Sequence, residues 1–188
     1  MQAGRAVFVS ADARSINLLS ADLRGADLSY GIFEGAQLSN AKLAGASMYA
    51  IDLRDAQLLR ADLWRADLRD AKLERAVLAL ADLHDADFSA AKLIGTNLTG
   101  AQFKGGIFLD AKFKNADLRS AVLTGAVVRD ATFDGANFEG ADLRGAIGLS
   151  VEQVCSAASW HGALLDADLQ AAAQSRCGNA PLMGPTKR

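Results

Sequence analysis

The chain has 188 residues, 51% hydrophobic and 22% charged, with a formal net charge of −2. That length suits one domain or one solenoid, and the near-neutral balance excludes a general electrostatic pull toward nucleic acid or membrane. No run approaches the ~18 apolar residues of a membrane helix, and Met1 to Ala6 lacks the charged-then-apolar layout of a signal peptide. The two cysteines, Cys155 and Cys177, fit no metal or redox spacing, so a reducing cytoplasm is the expected location.

Residues 1–5 are a short lead-in. From Ala6 to Gly145 the chain then divides into pentads with no insertion or deletion. The first slot is alanine except at Ile16, Gly31, Ile51, Thr96 and Gly106. The third slot is Leu, Phe, Met or Val except at Ala13. Ala21-Asp22-Leu23-Arg24-Gly25 and Ala66-Asp67-Leu68-Arg69-Asp70 are typical.

A period of five fits neither regular element. On an α-helix, five residues turn through about 500°, so successive leucines drift round the axis. On a flat strand an odd period throws alternate leucines onto opposite faces. One interior for all of them requires a corner every five residues. Each pentad is then one side of a prism. The third residue fills the axis, the first must be small because it points inward beside it, and the other three slots face solvent. The fifth slot is the corner, where glycine tolerates unusual backbone angles.

The tandem A-(D/N)-L-x-x pattern resembles the pentapeptide-repeat family over residues 6–145. The resemblance implies an all-β solenoid, a right-handed quadrilateral β-helix with four pentads per coil. That gives about seven coils, stabilised by stacking of neighbours. Residues 6–149 are assigned to this shaft.

Residues 150–178 are expected to form a short C-terminal α-helical cap and a possible dimerisation segment. Ser150-Val151-Glu152-Gln153 is a capping-box pattern. Val151, Val154, Cys155 and Ala158 follow at helical spacing, and Gly162 marks the expected helix end. A second helix is expected from an Asp166 N-cap to Arg176, with Gly178 beyond it. Cys155 is expected to be buried in the cap, and Cys177 exposed without a resolving partner. Trp160, Leu164, Leu165 and Leu169 are candidates for a homodimer interface, since a coil top alone is not expected to bury Trp160. Residues 179–188 read as a tail.

With four pentads per coil, residues twenty apart stack, and four outer faces can be drawn. The face that starts at Phe8 carries Asp27, Asp67, Asp70, Asp87, Asp110 and Asp130 against Arg69 and Arg129. The Ala13 face alternates charge along Arg14, Glu34, Arg54 and Glu74. The Leu18 face has no charge but Arg60 in its first five coils, and Leu19, Leu59 and Leu80 stand on it. The Leu23 face carries Trp64, His84 and Lys104 in one column.

These surfaces point away from catalysis. Asp82 and Asp85 flank His84, but no serine or cysteine nucleophile shares that patch, and one histidine among balanced charges is no metal-ligand set. Gly95, Gly100 and Gly105 mimic a phosphate loop only in spacing, with no Gly-Lys-Ser/Thr. No cofactor is expected. The expected role is a non-enzymatic module that docks a protein partner through one face or end of a rigid rod, with the Leu18 face first, because charge depletion marks interface cores. The family resemblance implies an alternative. Some members protect DNA gyrase and topoisomerase IV from quinolone-type poisons as dimeric, acidic mimics of duplex DNA, and here the Phe8 face would supply the carboxylates. Neither reading involves direct nucleic-acid or membrane binding.

Overall fold

The computed structural model describes residues 6–178. Second-slot residues pair in parallel with the residue twenty positions on, from Val7 with Asp27 to Val127 with Ile147. One hydrogen-bond scheme repeats throughout. Phe8 N–H donates to the Asp27 carbonyl (2.7 Å), Asp27 N–H donates back to Ala6 (2.9 Å), and Ser10 N–H donates to Ser29 (2.9 Å). Each corner closes with a bond of the Ala11 N–H to Phe8 type (3.0 Å). The polar backbone is thereby satisfied between coils, which lets every side turn its third slot inward.

The corners demand a left-handed backbone. Every fifth-slot residue from Ser10 to Gly145 has φ between 52° and 71°. Glycine takes this conformation freely, but Ser, Asn, Asp, Arg, Tyr, Ala and Leu also stand there. Each non-glycine costs ~1–2 kcal/mol locally, and the coil bonds on both sides hold it.

Third-slot side chains from Leu28 to Leu143 are buried, as are the alanines beside them. Phenylalanines stack in the same columns: Phe88 on Phe108 (5.3 Å between ring centres) and Phe113 on Phe133 (4.9 Å). The first-slot exceptions have local causes. Thr96 is buried with its hydroxyl donating to the Leu73 carbonyl at 2.8 Å. At Gly31 an added Cβ would stand 2.6 Å from the Phe33 ring, and at Gly106 3.0 Å from that of Phe108. Ala91 is fully buried. Ala91→Leu should therefore lower stability by ~1–3 kcal/mol through overpacking. Chemical denaturation measures this, and an unchanged midpoint would contradict the inward placement of the first slot.

The C-terminal segment departs from the expected long helix. Gly148 occupies a third slot with φ 82°, and a Cβ there would meet the backbone and Cβ of Arg129 at 3.0–3.2 Å. The chain then forms only a short helix, α1 (Val151–Ser156), with the expected capping box: Ser150 Oγ accepts from Gln153 N–H, and Gln153 Oε1 accepts from Ser150 N–H. Gln153 Nε2 also donates to the carbonyls of Val128 (3.0 Å) and Ala131 (2.8 Å).

After α1 the chain rejoins the shaft rather than continuing as helix to Gly162. Ser159 pairs with Asn137 and Leu164 with Asp142, now twenty-two residues apart. The helix occupies one side of the prism with two more residues than a pentad uses. Trp160 and Leu165 thereby fall into third slots, and Gly162 (φ 68°) turns the corner between them.

Helix α2 (Ala167–Cys177) follows and ends at Gly178. Asp166 precedes it without capping it through its side chain. The carboxylate instead accepts the Gly145 N–H at 3.1 Å. Ala173 of α2 is fully buried, with Leu169 packed against the same core.

The cysteines overturn the expectation of an isolated thiol. Cys155 and Cys177 are disulfide-bonded, with Cα atoms 5.8 Å apart. The bond staples α1 to α2, and an Arg176–Glu152 ion pair runs beside it. Such a bond persists in oxidising surroundings and is rare in a reducing cytoplasm. No helix among the described residues is long and apolar enough to cross a membrane.

Candidate docking surface

The repeat itself accounts for the second-slot aspartates. Asp22, Asp27, Asp67 and Asp87 each accept, through Oδ1, the backbone N–H two residues on, at 2.9–3.4 Å. Asn17, Asn97 and Asn137 do the same. The short side chain pins the turn that enters each corner. Aspartate in this slot is therefore a folding device before it is a surface charge.

Wherever the pentad reads Asp-Leu-Arg, the arginine folds back on that aspartate. Arg69 Nε and Nη2 reach the two Asp67 oxygens at 2.8 and 2.7 Å, and Arg24 and Arg144 clamp Asp22 and Asp142 alike. The Arg24 hydrogen bond holds Asp22 down at about 2, and the Arg69 and Arg144 hydrogen bonds lower Asp67 and Asp142. Since the folded values lie below the unfolded value of ~3.9, the stabilisation is complete above that pH. It is lost as pH falls toward the folded values. The melting temperature should therefore hold near neutrality and drop between about pH 4 and pH 2. In a variant with Asp22, Asp67 and Asp142 all changed to Asn, that drop should be smaller. An identical acid loss would mean the clamps do not contribute.

These contacts thin out the acidic face. Asp67 is neutralised by Arg69, while Asp27 and Asp87 accept hydroxyls from Ser29 and Ser89. Asp70 lies close enough to the Tyr49 hydroxyl to raise its pKa through a hydrogen bond. Asp110 and Asp130 form no ion pair among the described residues.

On the Leu23 face an open groove runs past Trp64, His84, Lys104 and Thr124. Arg65 stacks on Trp64 at 4.4 Å and approaches Asp85 at 3.7 Å. Asp82 Oδ1 lies 2.5 Å from His84 Nδ1. The nearest hydroxyl along this column, Thr124, is two coils away, or ~9.6 Å at strand spacing. The aspartate and histidine form a hydrogen-bonded pair at the surface.

The Leu18 face is different in kind. Leu19 is 59% exposed, Leu59 39% and Leu80 50%. Gln37 and Gln57 turn their amides back to the carbonyls of Gly35 and Asp55 (3.3 Å each), so these two side chains lie flat along the backbone. Leu80 stands at a corner with φ 58°. A half-exposed leucine in a left-handed conformation gives up local energy and gains little burial. The same conformation recurs at every fifth slot, so it is the repeat that places Leu80 there.

The four residues expected at a C-terminal interface do not share a surface. Trp160 is 2% exposed and Leu165 6%, both within the chain's own core, and Leu169 is half-buried. Only Leu164, at 47%, faces outward. The correction follows from register: Trp160 is an axial residue of the last coil, not a residue at a helix end. Its Nε1 is buried without a hydrogen-bond partner. Two features were legible but hidden by the phase shift after α1, namely the Trp160-x-Gly162 and Ala163-x-Leu165 spacings. The pairing of Cys155 with Cys177 had no sequence signal beyond their number.

No curated protein matches the chain. Among solved structures, HetL, a pentapeptide repeat protein involved in heterocyst differentiation regulation in the cyanobacterium Nostoc sp. strain PCC 7120, is 24% identical. That match covers 84% of this chain and 87% of HetL, with a TM-score of 0.33. Full-length QnrB1, a plasmid-mediated fluoroquinolone resistance protein, is 16% identical over 92% of this chain and 98% of its own, with a TM-score of 0.41. A pentapeptide repeat protein of the Arabidopsis thaliana thylakoid lumen is 32% identical over 58% of this chain and 70% of its own, with a TM-score of 0.26. The family model for pentapeptide repeats matches in 8 copies between residues 6 and 147, the same stretch in which the coil bonds repeat. The chain belongs to the pentapeptide-repeat family, whose fold is the right-handed quadrilateral β-helix.

Proposed function

We propose that this protein is a non-enzymatic docking rod that holds a protein partner against the Leu18 face. The observation that carries the reading is the exposed series Leu19, Leu59 and Leu80 on a wall whose charge, over five coils, is Arg60 alone. Interface cores are depleted of charge in this way, and a rigid wall loses little entropy on binding. All three leucines lie outside the buried core, so Leu59→Asp with Leu80→Asp should leave the melting temperature within about 0.5 kcal/mol-equivalent of wild type. The same variant should lose a partner co-purified from the source cell. Unchanged capture would remove this face as the site.

A second reading rests on the fifth-slot column Asp70, Asp110 and Asp130, which lines one edge of the acidic face. It makes the rod a mimic of duplex DNA for gyrase or topoisomerase IV. The arginine clamp on Asp67 weakens that field. Titration of purified protein into a gyrase supercoiling reaction, with and without a fluoroquinolone, separates the two. Inhibition or rescue that is lost in Asp70→Asn, Asp110→Asn, Asp130→Asn would favour mimicry over the leucine wall.

A further inference from the structure

We propose that a file of lysines on the Ala13 face is a docking strip for an acidic peptide segment of a protein partner. Lys72, Lys92 and Lys112 occupy three successive second slots on that side. They pair in parallel, Lys72 with Lys92 and Lys92 with Lys112. Lys114 stands beside the last of them in the fourth slot, and all four are exposed. Successive coils lie ~4.8 Å apart, so like charges sit directly opposite one another, an arrangement that destabilises a sheet.

Elsewhere the shaft avoids this arrangement. Lys42, also in a second slot, pairs across the coils with Asp22 on one side and Asp62 on the other. Arg14, Glu34 and Arg54 alternate in sign up their own column, with contacts of 3.8 and 3.5 Å. Lys72 retains one partner, Asp52 at 3.9 Å. Lys92, Lys112 and Lys114 form no ion pair among the described residues. Residues 1–5 and 179–188 contain no Asp or Glu. Lysine in the second slot also gives up the turn-pinning bond that aspartate and asparagine make there, because an ammonium accepts nothing. Folding alone therefore gives no reason for the strip.

The surroundings decide what fits. Carboxylates border the strip: Glu74 beside Lys72, Asp110 and Asp130 at the corner two residues before Lys112 and Thr132, and Asp134 one coil beyond Lys114. Positive charge is thus one strip wide and runs ~9.6 Å from Lys72 to Lys112. A duplex or a membrane surface laid on it would meet those carboxylates as well. The strip offers no ring for base stacking, since Ile94, Gly95 and Asn115 fill the slots beside the lysines. A single line of carboxylates meets neither obstacle. On one face of an extended peptide they recur every ~6.6 Å, and the flexible lysine stems can follow that spacing. Ile94, half-buried beside Lys92, gives such a peptide one apolar contact.

The test uses the full chain and a fluorescein-labelled hexaglutamate peptide, followed by fluorescence anisotropy at low ionic strength. Saturable binding is expected, and added salt should weaken it. Lys92→Gln with Lys112→Gln and Lys114→Gln should weaken it about tenfold, taking each exposed ion pair at its usual modest worth. Lys42→Gln, which removes a cation with carboxylates on both sides, should leave it unchanged. A thermal melt of the triple variant at low salt separates binding from folding. Relief of repulsion should hold or raise the midpoint, whereas a lower midpoint would mean that the lysines serve the fold and would overturn the proposal. Absence of binding, an undiminished triple variant, or an equal loss in Lys42→Gln would overturn it too. Tighter lysine-dependent binding of a single-stranded or duplex oligonucleotide of equal charge would overturn it in favour of a phosphate ligand. Leu59 and Leu80 are untouched by these variants, so the test of the leucine wall stands apart.

Discussion

Deletion of Lys72 is expected to be far more damaging than deletion of the whole segment 66–85. Lys72 is a second-slot residue that bridges Asp52 below and Lys92 above. Removing it leaves nineteen residues where the stack needs twenty. Leu73, Leu78 and the third-slot residues after them would then leave the axis unless one corner absorbs the gap. Each buried leucine turned to water costs ~1.5–3 kcal/mol, so a slip across even one coil exceeds the stability of most domains. Removing 66–85 takes out one complete coil. Asp87 then falls over Ser47 and Gln102 over Asp62, in the places that Asp67 and Asp82 hold in the intact chain, and the columns above re-register on those below. A repeat protein loses roughly one nearest-neighbour interface in that case. Circular dichroism melts of both variants give the answer, and a gentler outcome for the single deletion would contradict the twenty-residue coil.

Trp160→Ala is expected to lower stability by ~3–5 kcal/mol, the usual cost of emptying a buried tryptophan site. The side chain is axial, 2% exposed, and packs in the same cluster as Leu165, Val154 and Ala173. The damage should concentrate at the C-terminal end, where the disulfide and α2 also lie. Hydrogen exchange should show it there first, with early coils protected as before. A variant that melts like wild type but changes its association state would place Trp160 at an interface after all.

The sequence is most informative where one local rule repeats. A small first slot and an apolar third slot set the axis, and both are visible as letters. The bonds that hold the corners are less visible. The aspartate in the second slot reads as charge, yet in the structure it accepts a backbone N–H two residues on. The arginine of Asp-Leu-Arg reads as an exposed cation, yet it closes on the same carboxylate. The acidic face is for that reason weaker than its column of aspartates suggests. The end of the shaft was the least legible part. Two extra residues in α1 shift the phase, so Trp160 and Leu165 lose their place in a strict count of five although they keep their place in the stack. Helical spacing from Val151 to Ala158 then looks like a longer helix than the capping box and the returning coil allow. The disulfide depends on where α2 is laid down, which no local pattern encodes.

A photo-crosslinking residue placed at position 59, compared with one at position 110 on the opposite face, tests the docking wall most directly. Both sites are exposed to a useful degree, and neither lies in the buried core. Irradiation in the source cell should give a discrete higher-mass adduct from position 59. That adduct should vanish when Leu80→Asp is added, and position 110 should give none. An adduct from position 110 with nothing from position 59 would contradict the account and favour the acidic face.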